Sequence, residues 1–436
     1  MNRFSSYCMA ALLLMLGLCA KGDDSASGWG AMVGNPKLDE WIAAAISEAP
    51  SLGISSASLR VAAADERSAR AERRPTFNAD VDLRAGQRRN AMTGGETADL
   101  EPVSIDLNVA WELDLLGRIR STVGATRLAK EAGEYVLRDR ELAFAAEIAH
   151  SYLEGKLRAE QLALSRTALS ARETIADYHK ARVAAGLERI ELRDQAGADR
   201  LVADRKVAEA REALALLEMH WRYLMPDTSR PHIASLTEEL PEALPKVPET
   251  TELHTLALKR PDVQAARALW QSAQQRTKAA KRSRLPTVEA LVKAEGDGPS
   301  PVEEPEEWIA WAGIRLSLPV LAPENSATTE KRRGEEDAQA ALYKETARLA
   351  LLDIRKAFVA RAHVEQQWLA AKQEANQLKA KLDSVTRRFD QGLVPVATRE
   401  AAHLTWLGAE ELRISLHTLA LQRHIALLKA CGGPTP

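Results

Sequence analysis

Apolar residues occupy every second position from Val103 to Leu113 (Val103, Ile105, Leu107, Val109, Trp111, Leu113), with Ser104, Asp106, Asn108 and Glu112 among the positions between. A period of two predicts a strand over about 102–114 with one apolar and one polar face. After Leu116-Gly117-Arg118 the alternation gives way to Ala, Leu, Arg, Glu and Lys, with no proline before Pro226. That is the composition of long helix or coiled coil. Ala145, Ile148, Tyr152, Gly155, Ala159 and Leu162 recur at steps of three and four, so one seam of this rod faces a neighbouring helix. At ~1.5 Å per residue a rod over 118–185 is roughly 100 Å long, more than a globular core needs.

The same vocabulary recurs along the chain. Asn35-Pro36 opens a helical stretch that runs to Arg74, where Pro75 stops it. A strand over about 76–86 follows, with Phe77, Ala79, Val81, Leu83 and Ala85 on one face and Asn78, Asp80, Asp82 and Arg84 on the other. Polar residues 86–101, with Gly94-Gly95, suit an exposed hairpin loop. Gly186 lets the rod reverse into a returning helix that ends near Leu224, and five prolines mark 225–249 as a connector. The first half then repeats. Pro50 and Pro75 are 25 residues apart, as are Pro261 and Pro286. Strands over about 287–296 and 308–319 lead into a rod over about 326–391, which breaks at Gly392. From strand-opening proline to this glycine is 111 residues in one half and 106 in the other. The chain therefore reads as a duplicated helix-strand-strand-long helix-helix unit, 35–224 and 250–433.

Composition narrows the possibilities. The 436 residues carry a formal net charge of -2, which points to no nucleic acid. Beyond the N-terminus there is no apolar run long enough for a membrane helix, but the weaker signal of a membrane β-barrel stays compatible. Residues 1–19 form an export signal, with Arg3 as its basic part and Met9 to Leu18 as its apolar core. Residues 20–34, rich in small side chains, read as a linker. Cys19 ends the signal as in a bacterial lipoprotein, and acylation at Cys19 and ordinary cleavage nearby are both open. Three cysteines indicate no structural disulfide. His417 and His424 share a helix face as packing residues, and no Cys/His cluster, phosphate loop or nucleophile motif appears. No enzyme, metal or cofactor is expected.

Four strands of this length can cross a bilayer obliquely, yet four cannot enclose a channel, so oligomerisation follows. The polar face would then line a water-filled pore through Asp80, Asp82, Arg84, Asp106, Asn108, Lys293, Glu295 and Arg315. Trp111, Trp308 and Trp311 are the aromatic residues available for an interfacial girdle.

Several segments carry a family resemblance: Trp111-Glu112-Leu113-Asp114-Leu115-Leu116-Gly117-Arg118, Lys259-Arg260-Pro261-Asp262-Val263, Arg284-Leu285-Pro286, Leu316-Ser317-Leu318-Pro319, Arg388-Phe389-Asp390-Gln391-Gly392 and Gly432-Gly433. Together they resemble the TolC-like outer-membrane efflux proteins of Gram-negative bacteria, over nearly all of 35–433. The resemblance implies a mostly α fold with a membrane β-barrel part. In such a homotrimer three chains complete a 12-stranded barrel in outer-membrane lipid, continued by an α-helical tunnel through the periplasm. It implies a passive export conduit working with a periplasmic adaptor protein and an inner-membrane transporter. Cys19 favours the lipoprotein drug-efflux branch over type I protein secretion; the reading from another class is a periplasmic coiled-coil scaffold without a pore. Arg182, Gly186, Arg388 and Gly392 match the family's Arg-x-x-x-Gly pattern at the adaptor-contacting helix tips. The family narrows its tunnel with carboxylates just past the second tip glycine, where this chain has Thr398 and Ala401, so the gate is either altered or supplied by Glu400. Val320 to Asn325 also departs from the family's Asp and glycines between strand and rod.

Overall fold

The computed structural model describes residues 28–83, 87–89, 97–99, 103–226, 231–232, 240–244, 253–298, 307–319 and 322–433. Cys19 and Arg84 lie outside them, as do the export signal and much of the connector. In chain order the elements are α1 (Trp29–Val33), α2 (Lys37–Glu48), α3 (Pro50–Ala71), β1 (Thr76–Leu83), β2 (Gln87–Arg89), β3 (Thr97–Asp99), β4 (Val103–Leu113), α4 (Arg118–Ala184), α5 (Ile190–Leu224), α6 (Leu253–Lys259), α7 (Pro261–Arg282), β5 (Thr287–Gly298), β6 (Glu307–Ser317), α8 (Pro323–Asp390) and α9 (Val396–Cys431). The chain divides into two compact units, one from residues 1–53, 138–260 and 348–436, the other from 54–137 and 261–347.

In the first, helical unit, α1, α2, α4, α5 and α9 enclose Trp29, Leu38, Ile42, Ile148, Tyr152 and Trp221, all fully buried. The seam expected on the rod accordingly holds Ala145, Ile148, Tyr152 and Leu162 out of solvent. Within the expected linker, the described residues 28–34 depart from that reading, because the Trp29 ring seats in the core and draws α1 with it. Asn35 ties this start down, its Nδ2 donating to the Tyr152 hydroxyl at 3.3 Å. The single helix expected over 35–74 is also two, because Pro50 bars the helical conformation to the residue before it. Ala49 is extended there, with φ −64 and ψ 117.

In the second unit, β1, β4, β5 and β6 form one antiparallel sheet in that order, each strand pairing with the next. Segment 86–101 is not wholly loop, since β2 and β3 pair as a short ribbon within it. The helices beside the sheet approach closely through small residues: Ala265, Ala268, Ala273 and Ala280 of α7 are buried. Ser272 Oγ donates to the Ala125 carbonyl at 2.7 Å, and Thr277 Oγ1 to that of Arg332 at 3.0 Å. Helix α8 starts at Pro323, three residues before the expected rod, because proline is well placed in a first helical turn, where its missing N–H is no loss.

Candidate functional site

The sheet register sorts every strand residue onto one of two faces. Asp80 lies opposite Asp106, and Asp106 opposite Glu295, so three carboxylates stand side by side. The adjoining row is Asn78, Asn108, Lys293 and Trp311. Lys293 Nζ sits 3.2 Å from Asp106 Oδ1 and also pairs with Glu295. Arg315 Nη1 lies 3.3 Å from Glu289. On the other face Phe77, Val109, Val292 and Ala312 form one row. Phe77 is 67% exposed and Ile314 75%, an apolar surface that favours lipid or another apolar cover over water. Trp111 and Trp308 belong to this face. Trp311 does not, because its parity puts it beside Lys293, so the expected girdle loses one member.

Where β4 hands over to α4 the chain is fixed by ionic contacts. Arg118 forks onto Glu112 with distances of 3.1 and 2.7 Å. Asp114 accepts the backbone N–H groups of Ile119 and Arg120 at 3.0 and 2.9 Å, filling donors that a helix start leaves unpaired. Partial burial would raise its pKa, but the Arg120 and Ile119 amides and the Arg120 guanidinium outweigh this and hold it low. Nearby, Arg282 Nη1 reaches the Gly117 carbonyl at 2.8 Å.

Both rods end in the same capping motif. Gly186 and Gly392 have φ of 70 and 73. Leu187 N–H donates back to the Arg182 carbonyl at 2.9 Å, and Leu393 N–H to that of Arg388, also at 2.9 Å. Gly186 and Gly392 likewise donate to Val183 and Phe389, completing the paired bonds of a left-handed C-terminal cap. The side chains differ. Arg182 Nε and His179 Nδ1 each lie 2.7 Å from Glu188, whose pKa is lowered first by the His179 hydrogen bond and then by Arg182. Val394 stands at the matching place in the second half. The Arg388 side chain is exposed, without hydrogen bond or ion pair among the described residues. Glu188, two residues beyond the glycine, was the sign of this clamp in the sequence.

Glu400 is only 7% exposed. It pairs with Arg399 and, at 3.2 Å, with His403, beside a cavity of about 450 Å3 that Thr167, Thr174, Leu382 and Thr386 also line. The sheet residues, the two reversals and Glu400 are thus three separate groups of candidates.

A family model described as outer membrane efflux protein matches residues 41–222 and 253–433. The chain is 26% identical to outer membrane protein OprJ of Pseudomonas aeruginosa, over 93% of this chain and 86% of OprJ. It is 23% identical to the toluene efflux pump outer membrane protein TtgF of Pseudomonas putida, over 94% of this chain and 86% of TtgF. Among solved structures, its fold matches the outer membrane protein VceC of Vibrio cholerae with a TM-score of 0.78 at 21% identity, covering 94% of this chain and 99% of VceC.

Proposed function

The chain belongs to the outer membrane efflux protein family and is an outer-membrane efflux channel reaching into the periplasm; we propose that it works as a homotrimer in a tripartite pump. Three copies of the four-stranded sheet would close a 12-stranded barrel, with the exposed apolar face toward lipid and the face of Asp80, Asp82, Asp106, Asn108, Lys293, Glu295 and Arg315 toward the pore. Arg84 would join them by its place in the sequence. The observation that carries this reading is the register itself, which keeps one face of all four strands apolar, with Phe77, Trp111, Val292 and Ile314 exposed on it, one from each strand.

The reversals at Gly186 and Gly392, with Arg182 and Arg388, would meet a periplasmic adaptor protein, and an inner-membrane transporter would select the cargo. Glu400 with its partners Arg399 and His403 is the proposed gate. Small molecules are the favoured cargo, since the relatives include a toluene efflux pump component. Cys19, placed for acylation, would add a lipid anchor. The duplicated segments 35–224 and 250–433 would be the two structural repeats, a division supported by the two stretches that the family model matches.

The test is single-channel conductance of detergent-purified protein in a planar bilayer, with crosslinking to count subunits. Trimers that give discrete current steps are the expected result. A monomer that needs no detergent and passes no current would leave a periplasmic scaffold instead.

A further inference from the structure

Strands β1 and β5 begin, and β4 and β6 finish, at one end of the four-stranded sheet, because each adjacent pair is antiparallel. Cations gather at that end. Arg73 and Arg74 directly precede Pro75 and β1, and Arg284 lies three residues ahead of β5. All three are exposed, and their side chains have no hydrogen bond or ion pair among the described residues. Of the acids at this end, Glu112 is taken by Arg118 and Asp114 by Arg120, which leaves the exposed Glu72 against three arginines. Positive charge is therefore left over at this rim.

The opposite end has no such surplus in its sequence. Segment 299–306 contains Glu303, Glu304 and Glu306 and no cation, while Arg84, Arg88 and Arg89 are balanced by Glu96, Asp99 and Glu101.

Exposed apolar side chains share this end with the arginines. Leu285 follows Arg284 and is exposed, as are Leu115 and Leu116 beyond β4. Trp111, on the apolar face at this end, donates its indole N–H to the Arg73 carbonyl at 3.0 Å. Its ring is thereby held at the level of the arginines, as an amphipathic ring is placed at a membrane boundary. A surface with leucines and tryptophan on one side and unpaired guanidinium groups on the other matches a lipid layer where acyl chains give way to phosphates. Guanidinium forks suit phosphate oxygens better than a point charge does.

We propose that Arg73, Arg74 and Arg284 bind the head-group phosphates of anionic glycerophospholipids, of the phosphatidylglycerol kind, at the helix-side boundary of the membrane. The inference rests on the outer-membrane reading above and names the lipid that this rim takes.

The experiment inserts the full chain into nanodiscs of equal phosphatidylglycerol and phosphatidylethanolamine, then counts retained lipids by native mass spectrometry. Wild type is expected to retain phosphatidylglycerol in excess of the bilayer ratio. In R73Q/R74Q/R284Q that excess falls by about twofold to fivefold for each arginine removed, whereas R73K/R74K/R284K keeps part of it. A charge-matched variant on exposed positions of α5, R205Q/R211Q/R222Q, keeps the wild-type value. Equal retention by wild type and the glutamine variant, both folded by circular dichroism, overturns the proposal, as does an equal fall in the α5 variant. A chain that does not enter the nanodisc at all sinks the outer-membrane reading itself, whereas entry without lipid preference sinks only the head-group site.

Discussion

At the scale of single residues, two kinds of position carry testable weight. Gly186 and Gly392 hold left-handed backbone, and a Cβ at either would meet nothing within 4 Å. Substitution therefore costs conformation and not collision. Gly186→Ala and Gly392→Ala are each expected to destabilise by about 1–2 kcal/mol, with Asn recovering part of the loss, read as a drop in thermal midpoint; an unchanged midpoint for both would contradict the cap assignment. The second kind is His424, 2% exposed, whose Nδ1 accepts from Arg361 Nε at 3.1 Å. Burial, and then the Arg361 charge, lower its pKa to about 4. An unfolded histidine titrates near 6.5, so between those values the unfolded chain binds more protons. The stabilisation is complete above about pH 6.5 and is lost as pH falls through 4, up to about 3 kcal/mol in all. His424→Gln keeps an acceptor for Arg361 without titrating, so its midpoint should change less between about pH 7.5 and 4.5 than that of wild type. Both glycines were legible in the sequence as breaks in a helical pattern. The Arg361–His424 contact was not, because it joins residues 63 apart on two helices and no local pattern encodes it.

At the scale of elements, periodicity decided nearly everything that could be read. The alternation in Val103 to Leu113 and its counterparts fixed strand faces, and the sheet register keeps those faces across all four strands. What escaped was set by tertiary packing or by one residue's backbone. Helix α1 exists because Trp29 has a core to enter, and α2 parts from α3 at Ala49 because of Pro50. Trp311 looked like membrane girdle by residue type, although its parity already placed it on the polar face. The sheet makes a direct prediction. Val292, at the middle of β5 on the apolar face, should tolerate lysine badly, losing about 2–4 kcal/mol of membrane-folded stability. Asn78→Lys, on the polar face beside Asp80, should fold nearly as wild type. Folding yield into liposomes, scored by protease protection, separates the two; equal yields would mean that the apolar face does not meet lipid.

At the scale of the whole molecule, the polar face sets the charge that a permeating ion would meet. Asp80, Asp106, Glu289 and Glu295 stand there against Lys293 and Arg315, with Glu112 held by Arg118. Lys293 is already shared between Asp106 and Glu295, and Arg315 is held by Glu289, so the surplus is negative, and three copies around a pore would multiply it. A water-filled passage lined this way raises the local concentration of cations and repels anions. The proposed trimer is therefore expected to favour potassium over chloride, seen as a reversal potential displaced toward that of potassium under a salt gradient. The preference should fade at about 1 M salt, where the screening length shrinks to ~3 Å. Asp80→Asn, Asp106→Asn and Glu295→Gln together should weaken it without closing the channel, because the carboxylates are side by side on a surface that stays polar. Chloride preference in wild type, or selectivity unmoved by the triple change, would mean that these rows do not face the conducting path.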